Sequence, residues 1–226
     1  MSEHQVMAVC VDDELVGDCD EQLSDVCLTF VEAFVRLAGG VIAGAKPAAI
    51  FSIPMRAYRQ GRWRHMVRHA LDEVLRAYAG ALPRYGMRLV VLYRTNKRVF
   101  LMVWRPTQLA EILRDPTRMQ ILRESGYKGA AIDELMGELR RRLLTYYTAS
   151  PSACVVFPHE IGVFLGYPPE DVRGFMDGRP VTCKGPWHAY GDERVARRRF
   201  DALIAQERRC RVRYASGEPL KALFAT

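Results

Sequence analysis

Met87-Arg88-Leu89-Val90-Val91-Leu92-Tyr93-Arg94-Thr95-Asn96-Lys97-Arg98-Val99-Phe100-Leu101-Met102-Val103-Trp104 is the stretch that decides the fold class. Met87–Tyr93 and Arg98–Trp104 are rich in Val, Leu and aromatic residues, which pack well on a pleated surface. The polar run Arg94-Thr95-Asn96-Lys97 separates them, so the stretch reads as an antiparallel hairpin. On both sides the apolar spacing turns helical. Leu23, Val26, Cys27, Phe30, Ala33, Phe34 and Leu37 predict an amphipathic helix over Glu21–Leu37, ended by Gly39-Gly40. An extended stretch up to Pro54 follows. Trp63, Met66, Val67, Ala70, Val74 and Ala77 predict a helix over Arg62–Tyr78. Downstream, Pro106 and Pro116 open helices through Leu113 and Arg123, because proline suits the first helical turn. Leu135, Leu139, Leu143 and Tyr146 form the inward face of a helix over Ile132–Tyr146. An irregular strand over Val181–Gly191 precedes a helix that Asp192 caps and that runs to Tyr214. Separate strands among long helices define an α+β fold: a small mixed or antiparallel sheet with a central hairpin, flanked by several helices.

Charge is unevenly distributed. The 226 residues carry 33 Lys and Arg against 26 Asp and Glu, a net charge of +7. Residues 1–30 nevertheless hold Glu3, Asp12, Asp13, Glu14, Asp18, Asp20, Glu21 and Asp25 and no Lys or Arg. Residues 1–20 therefore read as an acidic, poorly ordered extension, a solvated segment rather than a docking one. Residues 21–226 read as a single α+β domain, with Ser150-Pro151-Ser152 marking a candidate internal boundary near 149–153. No apolar run reaches the roughly 18–20 residues that cross a bilayer, and the acidic start is unlike a signal peptide. Both point to a cytoplasmic protein with no membrane partner. Six scattered cysteines without a Cys-x-x-Cys pair then read as reduced thiols.

The second informative stretch is Phe157-Pro158-His159-Glu160-Ile161-Gly162-Val163-Phe164-Leu165-Gly166-Tyr167-Pro168-Pro169-Glu170-Asp171-Val172-Arg173-Gly174-Phe175. It sets a His-Glu pair at a helix start, breaks at Gly-Tyr-Pro and begins a second helix. Together with Ala43-Gly44-Ala45-Lys46-Pro47-Ala48, the hairpin ending in Arg105, and Cys183-x-Gly185-x-Trp187-x-x-Tyr190-Gly191-Asp192, it resembles the uncharacterised bacterial domain-of-unknown-function family 3793. The resemblance covers roughly residues 40–215. Members known mostly from anaerobic bacteria imply a reducing cytoplasm, and the family lends no activity. In its pattern a cysteine often precedes the Ala-Gly-x-Lys-Pro run, where this chain has Ala38. A nucleophile at that position would be missing here.

Three constellations carry candidate chemistry. Cys154, His159, Cys183 and His188 form two Cys-x₄-His pairs that would suit tetrahedral zinc, although zinc modules usually pair their cysteines closely. His65 and His69, four apart on the expected helix, form a weaker metal face crowded by arginines. His159, Glu160, Tyr167 and Cys183, with Trp187 and Lys46 beside them, read as the lining of a ligand pocket. Imidazole, phenolate and thiolate are also the usual protein ligands of haem iron, so haem or a transition metal held by His159 and Cys183 is one form of that ligand. A His-Glu pair suits general acid–base work, yet no phosphate loop, zincin motif or nucleophile elbow is present and no reaction is assigned. The competing assignment makes His159 and Glu160 a helix cap. The leading expectation is a binding or accessory protein with a small-molecule, metal or haem-type pocket around His159 and Cys183. The alternative is a basic nucleic-acid-binding or regulatory protein, using a helix-turn-helix-like segment over 160–176 and Arg194, Arg197, Arg198, Arg208, Arg209 and Arg211 on the C-terminal helix. Against it, the second helix of that segment is short and acidic.

Overall fold

The computed structural model describes residues 21–59, 62–65, 68–150 and 152–224, so the extension expected over 1–20 lies outside the described residues. In chain order the elements are helix α1 (Glu21–Ile42), strands β1 (Ala48–Pro54), β2 (Arg56–Arg59) and β3 (Arg62–His65), helix α2 (Arg68–Ala81), and strands β4 (Arg88–Arg94) and β5 (Arg98–Trp104). Helices α3 (Pro106–Ile112), α4 (Pro116–Glu124), α5 (Ile132–Thr148), α6 (Ile161–Phe164) and α7 (Pro169–Met176) follow. The chain then makes the two-residue strands β6 (Cys183–Lys184) and β7 (His188–Ala189), and helices α8 (Glu193–Ala215) and α9 (Leu220–Leu223). The fold is α+β.

Two compact units divide the described chain. One holds the residues up to Ala45, Ala49–Trp104 and Gln206 onward; the other holds Lys46–Ala48 and Arg105–Ala205. Ser150 and Ser152 fall inside the second.

The first unit is built on the expected hairpin. Strands β4 and β5 pair antiparallel from Arg88↔Trp104 to Arg94↔Val99, with an irregularity between Val91 and Tyr93. The extra residue there is Leu92, and it is buried like Leu89, three positions earlier. A strand of strict period two would aim those residues at opposite faces, so the bulge keeps both in the core. Thr95 closes the turn: its amide donates to the Arg98 carbonyl at 2.8 Å, and its hydroxyl accepts from the Arg98 amide at 2.9 Å. Sheet order is β1-β5-β4. Met55 donates to the Lys97 carbonyl at one end of the β1–β5 pair and Arg105 to the Pro47 carbonyl at the other, so β1 is antiparallel too.

Helix α1 fills the core of this unit. Phe30 meets Tyr78 of α2 at 4.5 Å between ring centroids, and Phe34 meets Phe51 of β1 at 5.8 Å. Three sequence expectations need correction here. The first helix does not stop at Gly39-Gly40 but runs to Ile42. Gly39 lies where helix residues Glu207 and Cys210 approach, and a Cβ there would stand 3.6 Å from the Glu207 carbonyl oxygen. That is ordinary contact, so Gly39 is an interior helix residue rather than a terminator. Termination falls to Gly44, whose φ of 69° lets Ala45 donate to the Gly40 carbonyl and Gly44 to that of Val41. Next, Arg62–His65 is a strand paired with β2, not the start of a helix, and α2 begins at Arg68. His65 and His69 therefore sit on different elements, and their expected shared helical face does not form. Lastly, Tyr146 of α5 faces outward, 37 % exposed, while Leu135, Leu139 and Leu143 are buried as expected.

Candidate functional site

The second unit presents the corner between α6 and α7, and its sequence explains its shape. Gly166 adopts φ of 80°, and the Tyr167 amide returns to the Gly162 carbonyl at 2.9 Å, which ends α6 after about one turn. Pro168 and Pro169 then start α7, whose first turn holds Glu170 and Asp171. The two short helices touch at Gly162, where a Cβ would come within 2.9 Å of the Val172 side chain. A Cβ on Gly166 would come within 2.6 Å of Pro47. The Lys46-Pro47 segment thus packs on the corner through proline.

Two carboxylates of this corner are buried. Glu160, 5 % exposed, accepts from the Tyr127 hydroxyl at 3.1 Å and from Arg142 at 3.2 Å. Arg142 also donates to Glu138 at 2.7 Å, and its guanidinium carbon lies 4.4 Å from the centre of the Tyr127 ring. Burial, then the Glu160 charge, pushes the Tyr127 hydroxyl far above its ordinary range. Asp171, also 5 % exposed, accepts from the Trp187 indole N–H at 2.8 Å and from the Tyr190 amide at 2.7 Å. It fastens the β6–β7 hairpin to α7. Both carboxylates are thus engaged by this unit's own donors, as burial of a charge requires.

His159 is different. It is half-buried, its ring standing 5.4 Å from that of Phe157 and 4.8 Å from that of Phe175. No described residue forms a hydrogen bond with the imidazole. Phe157 and His159 line two clefts. One, of about 290 Å³, is walled mainly by rings, including Tyr167, Phe175, Trp187 and His188. The other, of about 470 Å³, adds Arg141, Arg142, Thr145, Val156 and Met176.

Of the expected pocket residues, His159, Glu160, Tyr167 and Trp187 meet at this corner. Tyr167 and Trp187 stack at 5.0 Å with an interplanar angle of 20°, and the Tyr167 carbonyl accepts from Arg118 at 2.7 Å. Cys183 belongs to a small buried cluster against which Trp187 also packs. It is buried with Ala189, Ala196 and Phe200 and lines neither cleft. Lys46 also lines neither. Among the described residues no group of three or more His, Cys, Asp and Glu side chains is arranged to hold a metal ion. Cys154 is exposed and Cys183 buried, both free thiols, so the fourfold zinc arrangement does not form. The helix-turn-helix-like outline exists, and the charged residues of its second helix pair within the unit: Arg173 with Glu124 at 2.9 Å and Glu170 with Arg199 at 3.3 Å. Residues that sequence reading missed are Tyr127, Arg142 and Phe175. Each comes to the corner from a separate element, and only the position of Phe175 inside the motif hinted at it.

The fold and the corner define an α+β protein with an aromatic, histidine-bearing cleft in its second unit. The chain belongs to the family described as protein of unknown function (DUF3793), whose family model matches residues 34–224. Comparison with curated proteins and with solved structures returns no match. Among the described residues no helix is long and apolar enough to cross a membrane.

Proposed function

We propose that this chain is a cytoplasmic binding or accessory protein whose second unit holds a small organic molecule in the cleft beside His159. One observation carries the reading: a half-buried imidazole, set between Phe157 and Phe175 and without a hydrogen-bond partner among the described residues, forms a wall of both clefts. A ring-lined hollow with a few polar groups, here the His159 and His188 imidazoles, is the usual form of a ligand site. The smaller cleft, about 290 Å³, sits at the lower end of such sites and suits a compact ligand. Glu160 and Asp171 shape the corner and Tyr167 and Trp187 wall it, leaving His159 to meet the ligand. Cys183 packs with Ala189, Ala196 and Phe200 beside Trp187.

The test is a fragment screen by ligand-observed NMR on the full chain and on His159→Ala. Hits that compete with one another and vanish in the variant support the reading; hits indifferent to residue 159, or none, sink it. A haem-type or metal ligand would use the same imidazole as its donor. Absorbance spectra and metal analysis of protein purified with and without air distinguish that version.

A further inference from the structure

The two clefts beside His159 differ in chemistry, and together they point to a class of ligand. Resting on the binding reading above, we propose that the site takes an aromatic carboxylate, its ring against Phe157, His159 and Phe175 and its carboxylate at Arg141 and Arg142.

The ring half of the site rests on the smaller cleft. Its walls include four carbocyclic or indole rings and two imidazoles, and a flat ligand offers them offset or edge contacts on several sides. The volume of about 290 Å³ admits one or two fused rings and sits at the bottom of the range for ligand sites. Phe175, one of its walls, is 46 % exposed, a large apolar ring left open to solvent.

The anionic half rests on the larger cleft, which shares Phe157 and His159 with the first and adds two adjacent guanidinium groups. Glu138 accepts from Arg141 through Nε at 2.8 Å and Nη2 at 2.7 Å. Arg142 donates from Nε to Glu138 at 2.7 Å and from Nη1 to Glu160 at 3.2 Å. That leaves Arg141 Nη1 and Arg142 Nη2 with no acceptor among the described residues. The two glutamates orient the guanidinium groups in advance, so a carboxylate meets fixed donors and loses little ordering entropy. Two arginines against two glutamates leave the cluster near neutral. Recognition then comes from the direction of the remaining N–H bonds rather than from a bulk positive field. A neutral aromatic would fill the ring cleft without engaging these donors, and an aromatic cation would offer them no acceptor.

The probes are 1-naphthoate and its neutral counterpart 1-naphthalenemethanol, titrated into the full chain by isothermal calorimetry. Naphthoate is expected to bind about tenfold more tightly, the effect of one or two charge-assisted hydrogen bonds at a half-exposed site. Arg141→Gln, at a position 64 % exposed, should remove most of that preference and leave naphthalenemethanol unchanged. Phe175→Ala should weaken both probes. Equal affinity for the two probes, a preference unchanged in Arg141→Gln, or binding by neither overturns the proposal. If neutral fragments still depend on His159 while naphthoate shows no advantage, the ligand class fails and the binding reading survives. If fragments of no charge type depend on His159, the binding reading itself fails.

Discussion

Replacing Glu160 separates two roles that its sequence neighbourhood leaves entangled. Its carboxylate is 5 % exposed and accepts from Tyr127 and Arg142. Glu160→Ala strands the Tyr127 hydroxyl, on a side chain only 3 % exposed, and an unmatched buried donor costs roughly 1–3 kcal/mol. Arg142 is 23 % exposed and keeps Glu138, so its loss of one partner adds only about 1 kcal/mol. The variant should therefore lose about 3 kcal/mol, a large share of the roughly 5–15 kcal/mol that holds a folded protein together. Tyr127→Phe removes the donor and leaves Glu160 with Arg142, for a loss of about 1 kcal/mol. The double variant no longer has a stranded hydroxyl and should cost about 2 kcal/mol less than the sum of the two.

The assay is urea unfolding of the four proteins, with amide exchange in α5 and α6 to locate the effect in the second unit. Additive costs, or a Tyr127→Phe variant as weak as Glu160→Ala, would refute the assignment of Glu160 to structure through Tyr127. A Glu160→Ala variant of normal stability that loses fragment binding would do so as well, and would return Glu160 to the list of ligand groups.

Other outcomes follow from the same geometry. Asp171→Ala removes the acceptor of the Trp187 indole and the Tyr190 amide; the Trp187 indole N–H and amides 183–190 should exchange faster, while amides of the β4–β5 hairpin stay protected. Hydrogen bonds from Arg141 and then Arg142, against the opposing effect of burial, hold Glu138 down to about 2 from its ordinary 4.5. A depressed folded value means that the stability from Glu138 is full above pH 4.5 and falls as pH drops toward 2. Glu138→Gln should flatten that acid limb in urea midpoints taken across pH 2–6, values that bracket both states. Gly166→Ala meets both a positive φ and Pro47; a loss of about 2 kcal/mol is expected, read as a lower melting temperature, and an unchanged one would contradict the corner's packing.

What sequence could and could not show depends on how local the physics is. The hairpin was legible because its strands and turn lie within one stretch, and the helices at Pro106, Pro116 and Asp192 because their starts are marked by single residues. Thr117 indeed donates to Asp115 and Val195 to Asp192 at 2.8 Å. The failure at Arg62–His65 has a local cause as well. Trp63 fits a helical stripe continuing into α2, yet Arg62–His65 pairs with β2 as a strand. Gly39 misled because a glycine inside a helix and one that ends it are the same letter. Only the φ of 69° at Gly44 marks where the helix stops.

The His-Glu-Ile-Gly block shows where that limit bears on function. From sequence, its His and Glu formed one polar pair, equally suited to catalysis, to a metal or to a cap. Their partners lie in other elements: Tyr127 just before α5, Arg142 on α5, Phe175 on α7. Those partners split the pair. Glu160 turns inward and is neutralised by Arg142, Ile161 is buried, and Gly162 admits Val172. Each of these three positions is explained by folding alone. His159 is different: its half-buried ring meets Phe157 and Phe175 at tilted angles, as a phenylalanine could, yet it keeps two nitrogens that no described residue meets. An imidazole placed there, beside two clefts, leaves its nitrogens to solvent or to a ligand. His159→Phe therefore discriminates more sharply than alanine: it should retain or raise the unfolding midpoint while abolishing ligand binding. A lowered midpoint with binding retained would make the histidine structural after all.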